Sequence, residues 1–178
     1  LMLLIIVLGK RFDVTDELEQ SLCEQLKTLP TKIKSTLDLD NEIAELSKIF
    51  SNKEHALFLG RGSHFPIARE GALKLKEISY IHAEAYAAGE LKHGPLAIVD
   101  ENMPVVAVAP NNVVLEKLKS NLEEVKARGG KLYIFADIKA GFKSDEISQV
   151  FEIDAPMNPV APILFTIPLQ LLAYHCAI

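Results

Sequence analysis

A chain of 178 residues, 49% hydrophobic and 24% charged, can bury a core of its own and is too apolar to be intrinsically disordered. Its formal net charge of -5 excludes a sequence-independent nucleic-acid surface, which needs an excess of Lys and Arg. The cysteines, Cys23 and Cys176, lie far apart without metal-type spacing, so they build no disulfide framework and point to a reducing, cytoplasmic setting.

The opening LMLLIIVLG is apolar over about eight residues, short of the ~20 that a membrane span takes. It also lacks the basic lead-in of a signal peptide. The chain starts at Leu1 inside an apolar run and stops in QLLAYHCAI without a Gly or Pro signal, so both ends are expected to be cuts in something longer. DELEQSLCEQLKTL carries Leu18, Leu22, Leu26 and Leu29 at helical spacing. Pro30 is expected to end that helix and open the next. TKIKSTL and NEIAELSKIF continue as helices. From His55 the rhythm changes: HALFLG, MPVVAVAP and KLYIFAD are short apolar runs, separated by amphipathic helices over about 64–79 and 112–128. Buried strands alternating with helices predict a parallel sheet covered on both faces, an α/β fold. APILFTIPLQLLAYHCAI reads as a last helix, which Pro168 kinks or divides. No repeat or low-complexity segment interrupts the chain.

Four features carry possible chemistry. In HALFLGRGSHFPIAREG a strand runs into Gly60-Arg61-Gly62-Ser63 and then a helix, a layout that offers N–H groups to an anion. A dinucleotide fingerprint would want a third glycine where Phe65 stands. The bland alternative is a tight turn with Ser63 capping the helix. On the following helix Glu70, Lys74 and Glu77 share one narrow arc, with Ala68, Gly71, Ala72, Leu75 and Ile78 expected to face the sheet. That row is either a solvated i,i+4 pair or an acid/base set in which the ammonium keeps one carboxylate ionised. His93, in GELKHGP, is either an ordinary loop histidine or a proton shuttle. His82-Ala83-Glu84 matches part of a zinc-deaminase signature, but PCxxC is absent, so no metal is expected. His55, His64 and His175 have no partner visible in the sequence.

The run GRGSHFPIAREGALKLKEISYIHAEAYAAGELKHGPLAIVDENMPVVAVAPNN, continuing through LEKLKSNLEEVKARGGKLYIFAD to APILFTIPLQLLAYHCA, resembles the isomerase domain of the glucosamine-6-phosphate synthase family. The likeness is weakest over about 10–55 and in IKAGFKSDEISQV. It implies a flavodoxin-like three-layer sandwich of the sugar-isomerase (SIS) type, with a central parallel sheet and an N-terminal helical extension. The implied division is 1–10 as the tail of a preceding SIS subdomain, 11–50 as a helical linker and 51–178 as a second SIS subdomain. The family makes glucosamine 6-phosphate from fructose 6-phosphate and glutamine. The resemblance casts Glu77 as the carboxylate that moves a proton from C1 to C2, Lys74 as the cation beside it and Glu70 as a supporting acid. It casts His93 as the ring-opening histidine that reaches a neighbouring subunit's site. It implies no metal and no organic cofactor. The implied partners are a sugar phosphate, a second copy in a homodimer, a glutaminase domain and a first SIS subdomain, with no nucleic acid and no membrane. Where the family grips phosphate with hydroxyls, this chain has Ala109-Pro110-Asn111-Asn112, and the family's tail lysine would follow Ile178. The chain is therefore expected to be catalytically incomplete alone. The alternative from another class is a non-catalytic SIS module for sugar-phosphate binding or dimerisation.

Overall fold

The structure, a computed structural model, describes residues 2–12, 14–155 and 159–178. Leu1, where the apolar opening begins, lies outside them. Three helices lead: α1 (Met2–Gly9), α2 (Asp16–Leu37) and α3 (Asp40–Phe50). There follow β1 (His55–Gly60), α4 (Phe65–Ser79), β2 (His82–Ala87), β3 (Pro104–Ala109), α5 (Leu115–Ala127), β4 (Lys131–Asp137), β5 (Ser148–Ile153) and α6 (Ala161–Ala177). The described residues form one five-stranded sheet in the order β2-β1-β3-β4-β5, parallel throughout. This is the doubly wound, flavodoxin-like order.

Alternation along the strands divides the core in two. Ala56 and Phe58 of β1, Val106 and Val108 of β3, and Phe135 of β4 face α3, α4 and α6. Leu57 and Leu59, Val105 and Ala107, and Leu132 and Ile134 face α5 and the 3-10 turns that follow β2. Residues of β1, β3 and β4 named here are at most 2% exposed apart from Ala56 at 3%, so neither face of these three central strands meets water there. Each Leu or Phe so buried contributes about 1.5–3 kcal/mol. Phe135 and Phe151 stack across β4 and β5 at 4.9 Å, extending the first core to the far edge.

Several expectations need correction. β2 and β5 were not expected as strands: HAEAYA alternates polar and small residues, and SQVFEI carries Ser148, Gln149 and Glu152 among its apolar ones, as suits edge strands with one covered flank. Pro30 does not divide the leading helix. α2 runs through it, because Leu29 and Ile33 on either side pack against the first core and offset the roughly 3 kcal/mol that an interior proline costs. α6 likewise continues through a buried Pro168, held by Phe165, Leu169 and Leu172, each at most 1% exposed. Ile78 is 45% exposed rather than facing the sheet, since α4 is ending and its last turn has passed the core.

The tightest seam lies between α4 and α6. A Cβ on Gly71 would stand 2.7 Å from Leu169 Cδ1 and 3.1 Å from Phe58 Cε1, so a glycine lets helix, helix and strand meet. Gly71→Val is expected to lower unfolding stability by about 1–3 kcal/mol, read as a lower urea midpoint with the m-value unchanged.

Candidate functional site

The turn after β1 is built by close approach. A Cβ on Gly60 would collide with the His64 carbonyl, and Gly62 has φ 59°, in the left-handed region. Arg61 Nη1 donates to Asn121 Oδ1 on α5 at 3.0 Å, tying the turn to the other side of the sheet. Ser63 does not cap α4: the cap position is His64, without a side-chain bond, and Ser63 Oγ lies 3.2 Å from His64 Nδ1. In the loop after β3, Asn112 Oδ1 accepts from Val114 N at 3.0 Å. Arg61 is thus engaged with a neighbouring helix, Ser63 with the adjacent imidazole and Asn112 with its own loop's backbone.

α4 buries Ala68, Gly71, Ala72 and Leu75 and turns the Glu70–Lys74–Glu77 row outward. Lys74 Nζ lies 2.6 Å from Glu77 Oε2, with side chains 34% and 49% exposed. The pair is i,i+3, not the i,i+4 Glu70–Lys74 pair that spacing favours; Glu70 acts on Lys74 through space. Hydrogen bonding to Glu77, then the fields of Glu77 and Glu70, raise the Lys74 pKa above the ordinary lysine range. The ammonium is therefore held charged against both carboxylates. Glu70 is half-buried and opens on a groove of ≈ 350 Å³ between α4 and β2, walled by Arg69, Leu73, Lys76, Ala83 and Glu84. Lys76 Nζ reaches Glu84 Oε1 at 3.1 Å. Sequence reading missed this wall, because the pair joins a helix to a strand that periodicity did not disclose.

The row runs along α4 away from the carboxyl ends of the strands. Glu77 lies twelve residues past Phe65, about 18 Å along the axis at 1.5 Å per residue. The crevice at the strand ends therefore does not hold it.

His93 ends a 3-10 turn, Ala88–His93, and is followed by Gly94 at φ 138°. It is exposed, with Nε2 3.9 Å from Glu90 Oε2. The turn is fixed by Ala88 and Leu91, both 0% exposed in the core on the α5 side, and by Lys92 Nζ to Glu124 Oε1 at 2.9 Å. The row and the turn that carries His93 thus lie on opposite sides of the sheet, α4 packing in the first core and Ala88 and Leu91 in the second. One copy of the chain does not bring them to one small substrate.

The other histidines have partners that the sequence did not reveal. His175 Nε2 is 2.8 Å from Asp40 Oδ1, joining α6 to the start of α3. His55 Nδ1 meets His82 Nδ1 at 3.1 Å. His64 is 5% exposed, packs edge-on against Phe165 at 5.1 Å and leaves Nε2 buried without a partner. Burial pushes the Cys176 thiol up to about 12, so it is a neutral thiol at physiological pH. Among the described residues, no three His, Cys, Asp or Glu side chains are grouped to hold a metal. No described helix is long and apolar enough to cross a membrane.

The SIS domain model matches residues 49–178. Over all 178 residues the chain is 55% identical to the Shewanella oneidensis protein named glutamine–fructose-6-phosphate aminotransferase (isomerizing), and it spans 29% of that protein's length. It is also similar to the solved C-terminal domain of glucosamine-fructose-6-phosphate aminotransferase from Francisella tularensis, with TM-score 0.92 and 55% identity, covering 97% of this chain and 49% of that one. A phosphosugar isomerase structure from Silicibacter pomeroyi, 23% identical with TM-score 0.74, shares the fold over 90% of this chain and 47% of that one.

Burial lowers the His64 pKa to about 4, so the unfolded chain binds more protons between that value and its ordinary ~6.5. Stability contributed by neutral His64 is complete above pH 6.5 and is lost as pH falls toward 4, by about 2–3 kcal/mol. Urea unfolding at pH 7 and 4.5 should show a steeper acid loss for the wild type than for His64→Leu; parallel losses would assign the effect to other groups.

Proposed function

The chain belongs to the SIS domain family, and we propose that it works as the second sugar-isomerase subdomain of an enzyme making glucosamine 6-phosphate from fructose 6-phosphate and glutamine. The observation that carries this reading is the Lys74–Glu77 pair, 2.6 Å apart on an exposed helix face beside Glu70. It occurs in a chain 55% identical throughout to an aminotransferase of that name.

The chemistry suits the residues. Ammonia released from glutamine adds to the C2 carbonyl of the open-chain ketose and, with loss of water, gives an imine. A carboxylate then takes the C1 proton and returns it to C2, leaving the aldose with its amino group at C2. One base serves both carbons if it is held beside them, and Glu77, on α4 and paired with Lys74, is the residue assigned that task. The Lys74 ammonium, 2.6 Å away, stabilises negative charge that develops as the C1 proton leaves. Ring opening needs a separate acid/base near neutral pH, the role given to His93. Because His93 lies across the sheet from the row, it serves a second copy's site, and the working unit is a homodimer.

The remaining parts of such an enzyme come from elsewhere. The outward apolar side chains of α1, Leu3, Leu4, Ile5, Val7 and Leu8, are the seat for a preceding SIS subdomain. That subdomain would hold the phosphate, since Arg61 and Asn112 in the loops after β1 and β3 are already engaged with Asn121 and the Val114 backbone. Residues 11–50 then serve as the helical connection, and ammonia comes from a glutaminase domain. The reaction belongs to the cytoplasm.

Glu77→Gln in a full-length aminotransferase carrying this segment, with ammonium supplied, should slow isomerisation by about 10²–10⁴-fold without altering the circular dichroism spectrum. A near-normal rate would remove Glu77 from the chemistry. In a calorimetric titration, the chain alone should give no binding heat with glucosamine 6-phosphate up to millimolar concentration. Clear binding would instead describe a self-sufficient sugar-phosphate module whose Gly60–Ser63 turn takes the phosphate.

A further inference from the structure

The geometry points to a binding site for a divalent transition-metal ion of the copper–nickel–zinc class, held by His55 and His82 where β1 and β2 begin. The two residues are partners in the parallel register, so their side chains leave the sheet on the same face. Their Nδ1 atoms lie 3.1 Å apart. Two imidazole nitrogens bound to one such ion at about 2.0–2.1 Å, at angles between tetrahedral and right, stand about 2.9–3.4 Å apart, so the separation that now carries an Nδ1–H···Nδ1 hydrogen bond also spans an ion that replaces its proton. The rings meet at 90° with centroids 5.3 Å apart, nearly end to end. An ion therefore needs each ring to turn modestly about Cβ–Cγ, which both exposed side chains are free to do.

The far side of His82 supplies an independent sign. Its Nε2 is 3.6 Å from Glu84 Oε1, and Glu84 is itself fixed by Lys76 Nζ at 3.1 Å. At 3.6 Å the His82–Glu84 approach is a charge contact and not a hydrogen bond; as the ring turns toward an ion, Glu84 is the carboxylate within reach of the nitrogen that faces away, the usual companion of a metal-binding histidine. On the other side, His55 borders a cavity of ≈ 450 Å³ with Glu54, Asp100 and Asn102 on its wall. That space takes the waters that complete the coordination, since among the described residues no third side-chain ligand is grouped with the pair. Two protein ligands and several waters make an exchangeable site. Its consequence is structural: the ion adds a side-chain cross-link at the amino ends of two strands already paired through their backbones.

The test is a calorimetric titration of the chain with copper(II) and nickel(II) chloride at pH 7.5 in a non-coordinating buffer. One-to-one binding in the micromolar range is expected for copper, weaker for nickel. His55→Ala and His82→Ala should each weaken it at least tenfold, and Glu84→Gln severalfold. Cys23→Ser should leave it unchanged. Substoichiometric copper added to the wild type should broaden the His55 and His82 imidazole resonances before any others. No binding, or binding that survives both histidine substitutions, overturns the site. Binding lost in Cys23→Ser, or broadening that starts at His93 or His175, does the same by placing the ion elsewhere.

Discussion

A parallel sheet must be covered on both faces, because its crossover connections lie there and its strands carry apolar side chains in both directions. β1, β3 and β4 meet that constraint with side chains alternating between two cores that never touch. α3, α4 and α6 are recruited to one side, and α5 with the turns after β2 to the other. The Gly71 seam, the uninterrupted α6 and the continuity of α2 across Pro30 all serve to close the first side.

The same constraint arranges the chemistry. Because α4 presses its small residues onto the sheet, its polar row has to face outward, and Lys74 and Glu77 meet on an open surface rather than in a cleft. Because Leu91 is sunk in the second core, His93 has to emerge on the other side. A domain built this way presents polar groups on two faces and encloses neither. That arrangement suits a module completed by neighbours.

Polarity concentrates along β2, the edge strand. His82 and Glu84 stand where a central strand would carry leucine or valine, and they bring His55 and Lys76 into one charged strip. An edge strand tolerates this because one flank is open to water. By contrast His64, at the buried end of the β1 turn, keeps a nitrogen without a partner and is held neutral by its surroundings.

The sequence alone determined the α/β class, the three central strands and the two long helices between them. Residues buried on both sides must be apolar throughout, and HALFLG, PVVAVA and KLYIFAD show it. It also determined that Glu70, Lys74 and Glu77 share a helix face, since helical spacing is local. Two strands stayed hidden because HAEAYA and SQVFEI, at the edges, obey a weaker rule. Whether Pro30 and Pro168 break their helices was not local either, because packing around each proline outweighs the bond it forfeits. Only the tertiary structure decided that His55 faces His82 and that His93 lies across the sheet from the row. Each of these depends on which side of the sheet an element reaches, and no short stretch of sequence carries that information.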